Sequence, residues 1–161
     1  MNSALKTWLI PFALLTPALA LTPQPPRPPL EFQVESRFDF DSTVAAIVAE
    51  APAHKFTVLK VHEMSKTLAE RGFPRKEPVT IIEVCNAKSA STALNLDIRS
   101  GLMMPCPVMV YQKEGRTFVM TNDTRILSDY YTGGAPMKQT GQDVYLALTK
   151  ILNAVRKRSK E

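Results

Sequence analysis

The stretch that most constrains this chain is Val79 to Tyr111, VTIIEVCNAKSASTALNLDIRSGLMMPCPVMVY, which sets a helix between two strands and a cysteine at each junction. Val79 to Val84 is rich in β-branched residues and has few polar interruptions, the composition of a strand inside a sheet. Asn86 can accept a backbone N–H and so begin a helix, which carries Ala90, Ala93 and Leu94 until Ser100-Gly101 breaks the pattern. Pro105 and Pro107 remove backbone donors, which places the start of the next strand near Val108. The layout is strand, Cys85, helix, loop, Cys106, strand.

The flanking sequence extends this frame. Phe32 and Val34 alternate with Glu31, Gln33 and Glu35, predicting a strand with one solvated face. Asp41 or Ser42 is placed to cap a helix whose Val44, Ile47, Val48 and Ala51 form one buried stripe, with Pro52 as its stop. Phe56 to His62 is a second strand, and Ser65 to Arg71 a short helix ended by Gly72. Beyond the central run, Val108 to Gln112 and Arg116 to Thr121 flank the turn Lys113-Glu114-Gly115. Thr140 and Asp143 stand in capping-box positions for a last helix carrying Val144, Leu148, Ile151, Leu152 and Val155 on one face. The order β-α-β-α-β-α-β-β-α predicts a single α+β domain over residues 30–161, one mostly antiparallel sheet packed against helices.

Residues 1–20 follow a different rule. Lys6, the apolar run Trp8 to Leu15 and the small residues around Ala18-Leu19-Ala20 form a secretory signal pattern, too short to span a bilayer. Residues 21–29, LTPQPPRPP, favour extended polyproline geometry and read as a spacer. The expectation is an exported protein, periplasmic or secreted, with no stable membrane anchor. The net charge of +5 owes much to Arg156, Lys157, Arg158 and Lys160, a basic chain end rather than a patch over a fold. No recognised motif accompanies it, so nucleic acid is not an expected partner.

The segments FDSTVAAIVAE, FTVLKVHEMSKTLAERGF and the central run together resemble the family known as domain of unknown function 302. That family shows a cysteine-asparagine-proline step after a buried strand, and a leucine-leucine-proline-cysteine step before a valine-rich strand ending in tyrosine. Here these read Cys85-Asn86-Ala87 and Met103-Met104-Pro105-Cys106, then Val108 to Tyr111. Ala87 replaces the usual proline, Pro107 follows the second cysteine, and Lys55 stands where glycine is usual. The likeness covers roughly Phe38 to Thr121. It implies a compact α+β fold, often dimeric, and brings no activity or catalytic residue with it.

The chemistry centres on sulfur. If the strands bearing Cys85 and Cys106 are antiparallel neighbours, both thiols lie at one sheet end, where a bond would close a loop of about 22 residues and contribute about 3 kcal/mol. A disulfide, two buried free thiols, and a reactive or ligating pair are the readings open to them. A Cys-x-x-Cys motif is missing, against thioredoxin-like catalysis. Met103, Met104 and Cys106, with Met64 and His62 at another strand end, would suit copper(I) or a haem iron. Methionine beside a buried strand is usually core filler, however, and the histidines lack ligand spacing, so no cofactor or metal site is expected. Glu83, a carboxylate within an apolar strand, calls for a partner from Arg75, Lys60 or a neighbouring strand. No nucleophile elbow and no phosphate-binding loop is present.

These residues predict a binding module rather than an enzyme. A small molecule or a protein partner would sit where Cys85, Asn86 and the Met103 to Cys106 loop converge, with Glu83 and His62 as further candidates. The alternative is a thiol-dependent, haem or metal redox protein using Cys85 and Cys106, and a homodimer is compatible with either.

Overall fold

The computed structural model describes residues 30–158, so the signal pattern and the proline-rich spacer lie outside the described residues. The elements are β1 (Glu31–Glu35), α1 (Phe40–Glu50), β2 (Thr57–His62), α2 (Met64–Glu70), β3 (Val79–Cys85), α3 (Ala87–Leu96), β4 (Cys106–Lys113), β5 (Arg116–Asn122), α4 (Leu127–Tyr130) and α5 (Gly134–Val155). The strands form one antiparallel sheet in the order β1-β5-β4-β3-β2. The expected α+β class and strand-helix order hold, with the short α4 added between β5 and α5.

Period-two alternation decides what each sheet face carries. Val34, Ile82, Val84, Val108, Val110 and Val119 point to one side and are fully or nearly fully buried. Ile47 and Ala51 of α1 and Val144, Leu148, Ile151, Leu152 and Val155 of α5 complete that core. Burying one such aliphatic side chain is worth about 1.5–3 kcal/mol, so the stripes of α1 and α5 hold both helices on the sheet. The other side carries Ile81, Glu83, Met109, Met120 and Tyr111, all half-buried. β3 is an inner strand, as its apolar run predicts, and β1 and β2 are the edges.

Several boundaries differ from the sequence reading, each for a local reason. Asp39, not Asp41 or Ser42, caps α1, because its carboxylate accepts from the N–H (2.8 Å) and hydroxyl (2.8 Å) of Ser42. β4 begins at Cys106 rather than Val108. Pro107 faces Glu83 there, and its carbonyl accepts the Thr121 hydroxyl at 2.8 Å, which ties the strand start to β5. The hairpin turn is two residues long, Glu114 and Gly115, both at positive φ (53° and 73°), the mirror-image turn that suits strand twist. Helix α5 starts at Gly134, so Thr140 and Asp143 lie inside it. Thr140 donates back to Pro136 O at 2.9 Å and Asp143 accepts from Gln139, which leaves neither as a cap.

Arg156 and Lys157 fold back onto the first strand. Lys157 N–H donates to Glu35 O at 2.8 Å, Lys157 Nζ meets the Glu35 carboxylate at 2.8 Å, and the Arg156 guanidinium lies over the Phe32 ring. Residues after α5 therefore lie along β1. Among the described residues, no helix is long and apolar enough to cross a membrane.

Candidate functional site

At the end of the sheet where β3 finishes and β4 begins, the elements leave a half-enclosed cavity of about 30 Å³. That is room for an ion or for one or two water-sized groups. Its walls come from Phe56, Val84 and Cys85 at strand ends, Asn86, Ser89, Ala90 and Ala93 of the α3 start, and Met103, Met104 and Cys106. Thr124, Leu127, Thr140 and Val144 close it from the α4 and α5 side. The surface is almost wholly carbon and sulfur.

Three of the polar wall groups are already engaged. Asn86 Oδ1 accepts the Ser89 N–H at 3.1 Å, the expected cap of α3, which spends its acceptor on the backbone. Thr124 donates to Gly141 O at 2.8 Å, and Thr140 to Pro136 O. A guest would thus meet mainly methyl, thioether and thiol groups.

Both cysteines are free thiols, so of the readings open to them the structure carries no disulfide. The register supplies the reason: β3 and β4 are antiparallel neighbours as anticipated, but Cys106 stands opposite Val84 rather than Cys85. Adjacent residues of a strand point to opposite faces, so the two cysteines are not cross-strand partners. Burial first, and the nearby Cys85 second, push the Cys106 thiol up to about 11. At neutral pH it is protonated, the opposite of an activated nucleophile.

Five of the residues singled out from the sequence meet here: Cys85, Asn86, Met103, Met104 and Cys106. Glu83 and His62 do not. They lie on the opposite face of the sheet, with His62 Nε2 at 2.9 Å from Glu83 Oε1, so the carboxylate's partner is the neighbouring strand's histidine rather than Arg75 or Lys60. The contact is an ion pair when the imidazole is protonated, and its angle is poor for a hydrogen bond.

Two Asp-x-Arg devices, unremarked in the sequence reading, position the loops of the site. Asp97 accepts from the Arg99 backbone N–H (3.0 Å), its Nε (3.0 Å) and Nη2 (2.7 Å), and from the N–H (2.9 Å) and hydroxyl (3.1 Å) of Thr132. This pins the turn Ile98–Met103, which delivers both methionines, to the segment before α5. Asp123 treats Arg125 in the same way, with Nη2 at 2.6 Å, and fixes the turn bearing Thr124. The guanidinium beside each holds both carboxyls below the usual carboxylate range. The spacing of 97–99 and 123–125 was the available signal. The apolar wall residues, scattered from Phe56 to Val144, carried none.

The sequence profile of the family described as "Domain of unknown function DUF302" matches residues 32–155. The crystal structure of uncharacterized conserved protein DUF302 from Bacillus stearothermophilus is similar in fold, with a TM-score of 0.72 at 24% identity, covering 79% of this chain and 98% of that chain. No curated protein matches the chain. The profile spans most of the chain, from the first strand to the end of the last helix, and the chain therefore belongs to the domain of unknown function DUF302 family.

Proposed function

We propose that this protein is an exported binding module that takes a small, apolar or soft guest into the sulfur-lined cavity. The observation that carries this reading is the cavity itself, whose walls gather two cysteines and two methionines while Asn86, Thr124 and Thr140 are engaged in capping and hydrogen bonds. A non-catalytic role is favoured because acid–base or nucleophilic work needs a poised group. The buried Cys106 thiol is held protonated, and the His62–Glu83 pair lies on the other sheet face. Export rests on the signal pattern of residues 1–20. The turn that supplies Met103 also turns Ile98 and Leu102 outward, 76% and 86% exposed, an apolar rim where a delivering or receiving partner would meet the protein.

Xenon is a suitable probe, a single polarisable atom that enters dry cavities. Methyl NMR spectra under xenon pressure should show shifts concentrated at Met103, Met104 and Ala93. Ala93→Leu, which adds carbon to the cavity wall, should abolish them in a protein that remains folded by circular dichroism. Unmoved methyls in the folded wild type, or shifts centred elsewhere, would overturn the reading.

A further inference from the structure

The cavity's chemistry is more specific than its size. Cys85, Cys106, Met103 and Met104 all line it, so both cysteines and two methionines stand on the wall of a space fit for one ion. Neither histidine reaches it: His62 is engaged with Glu83, and His54 Nε2 lies 2.9 Å from Glu50. No carboxylate stands on its wall. Among the described residues, no group of three or more His, Cys, Asp or Glu side chains is arranged to hold a metal, so the soft third ligand that this wall offers beside the two cysteines is methionine sulfur. That preference separates soft monovalent ions from zinc and from the oxygen-seeking cations.

We propose that Cys85, Cys106 and at least one of Met103 and Met104 bind a single copper(I) ion in this cavity. The inference deepens the binding reading above and rests on it. Soft thiolate and thioether ligands match copper(I), which has no need of the full shell of oxygen ligands that harder ions demand. Both cysteines exchange their protons for copper, 2 S–H + Cu⁺ giving [S–Cu–S]⁻ + 2 H⁺, with the protons released to water and no change of oxidation state. A methionine sulfur completes the set as a neutral ligand. Both methionines ride on the turn pinned by Asp97, which fixes their approach before the ion arrives. Met103 and Met104 are only half-buried, which leaves a path for entry.

The test is an anaerobic titration of the full, reduced chain with copper(I) presented as its bathocuproine disulfonate complex, following loss of that complex's colour. The expected result is withdrawal of one copper per chain and an X-ray absorption first shell made of sulfur alone. Loss of supporting residues around metal sites typically costs about 10- to 100-fold in affinity, so Cys85→Ser or Cys106→Ser should weaken binding by more than about 100-fold. Met103→Leu combined with Met104→Leu conserves volume and should weaken it by about tenfold with folding retained. Copper left with the chelator, uptake indifferent to either serine variant, or a first shell containing nitrogen or oxygen would overturn the proposal. Xenon shifts at the same methyls in protein that leaves copper with the chelator would sink the copper inference alone, whereas missing xenon shifts would sink the cavity reading beneath it.

Discussion

At the level of single side chains, the site is defined by what its polar groups have already committed to. Cys106 shows this most directly, since burial pushes its thiol up to about 11 from an ordinary 9.0. In the Cys85→Ser variant, which leaves one thiol, iodoacetamide alkylation followed by mass spectrometry should keep accelerating as pH rises beyond 9. A rate that levels off near 9 would show a solvated thiol instead. Asp97 makes the opposite statement. The Arg99 guanidinium and then Thr132 favour its charged form, and its carboxyl lies below the ordinary 3.8. The unfolded chain takes up that proton first on acidification, so the stabilisation is whole above about pH 4 and is lost as pH falls below the unfolded value. Wild type should therefore lose thermal stability between about pH 4 and 2 more steeply than Asp97→Asn, which starts lower and lacks this component. Parallel pH profiles of Tm would refute that assignment. Asn86 was legible from sequence because an N-cap is a local contact. The His62–Glu83 pairing was not, since it depends on which residues of β2 and β3 stand together.

For elements, the close approach of α5 to the turn after β5 decides the geometry of the cavity's far wall. A Cβ on Gly141 would sit 2.4 Å from Thr124 O, a backbone atom that cannot swing aside. Helix propensity alone would favour alanine there by about 1 kcal/mol. The clash outweighs it, and Gly141→Ala should destabilise the protein by about 1–3 kcal/mol, measured by denaturant unfolding. A neutral or stabilising result would mean that α5 can shift away. Gly133, at φ 115°, lets the chain enter α5 where side chains are rarely tolerated, and the start of α5 was misplaced in sequence because Thr140 mimics a cap while its hydroxyl serves its own helix. The stripes of α1 and α5 and the alternation of β1 were legible because periodicity reports burial directly. The cysteines' status was not. A single step of register sets Val84 rather than Cys85 opposite Cys106, and no local pattern encodes that step.

Across the whole molecule, Arg156 and Lys157 guard the first strand. β1 is an edge, and the segment after α5 pairs along it through Lys157 N–H to Glu35 O and a bridge between Ser36 and Arg156. The exposed Lys157–Glu35 charge pair adds little by itself, so the backbone contacts carry most of the effect. Removing residues 156–161 should accelerate hydrogen exchange in β1 by about tenfold or more while leaving the inner strands β3 and β4 nearly unchanged. Equal acceleration throughout the sheet would show that the tail supports the whole fold rather than this edge. The pairing of β1 with β5 also has a temporal side. During synthesis β1 must wait for β5, so the sheet cannot be completed until the whole of β2, β3 and β4 has been made. Until then β1 has no neighbour to pair with, and the pairing that closes the sheet spans the longest separation within it.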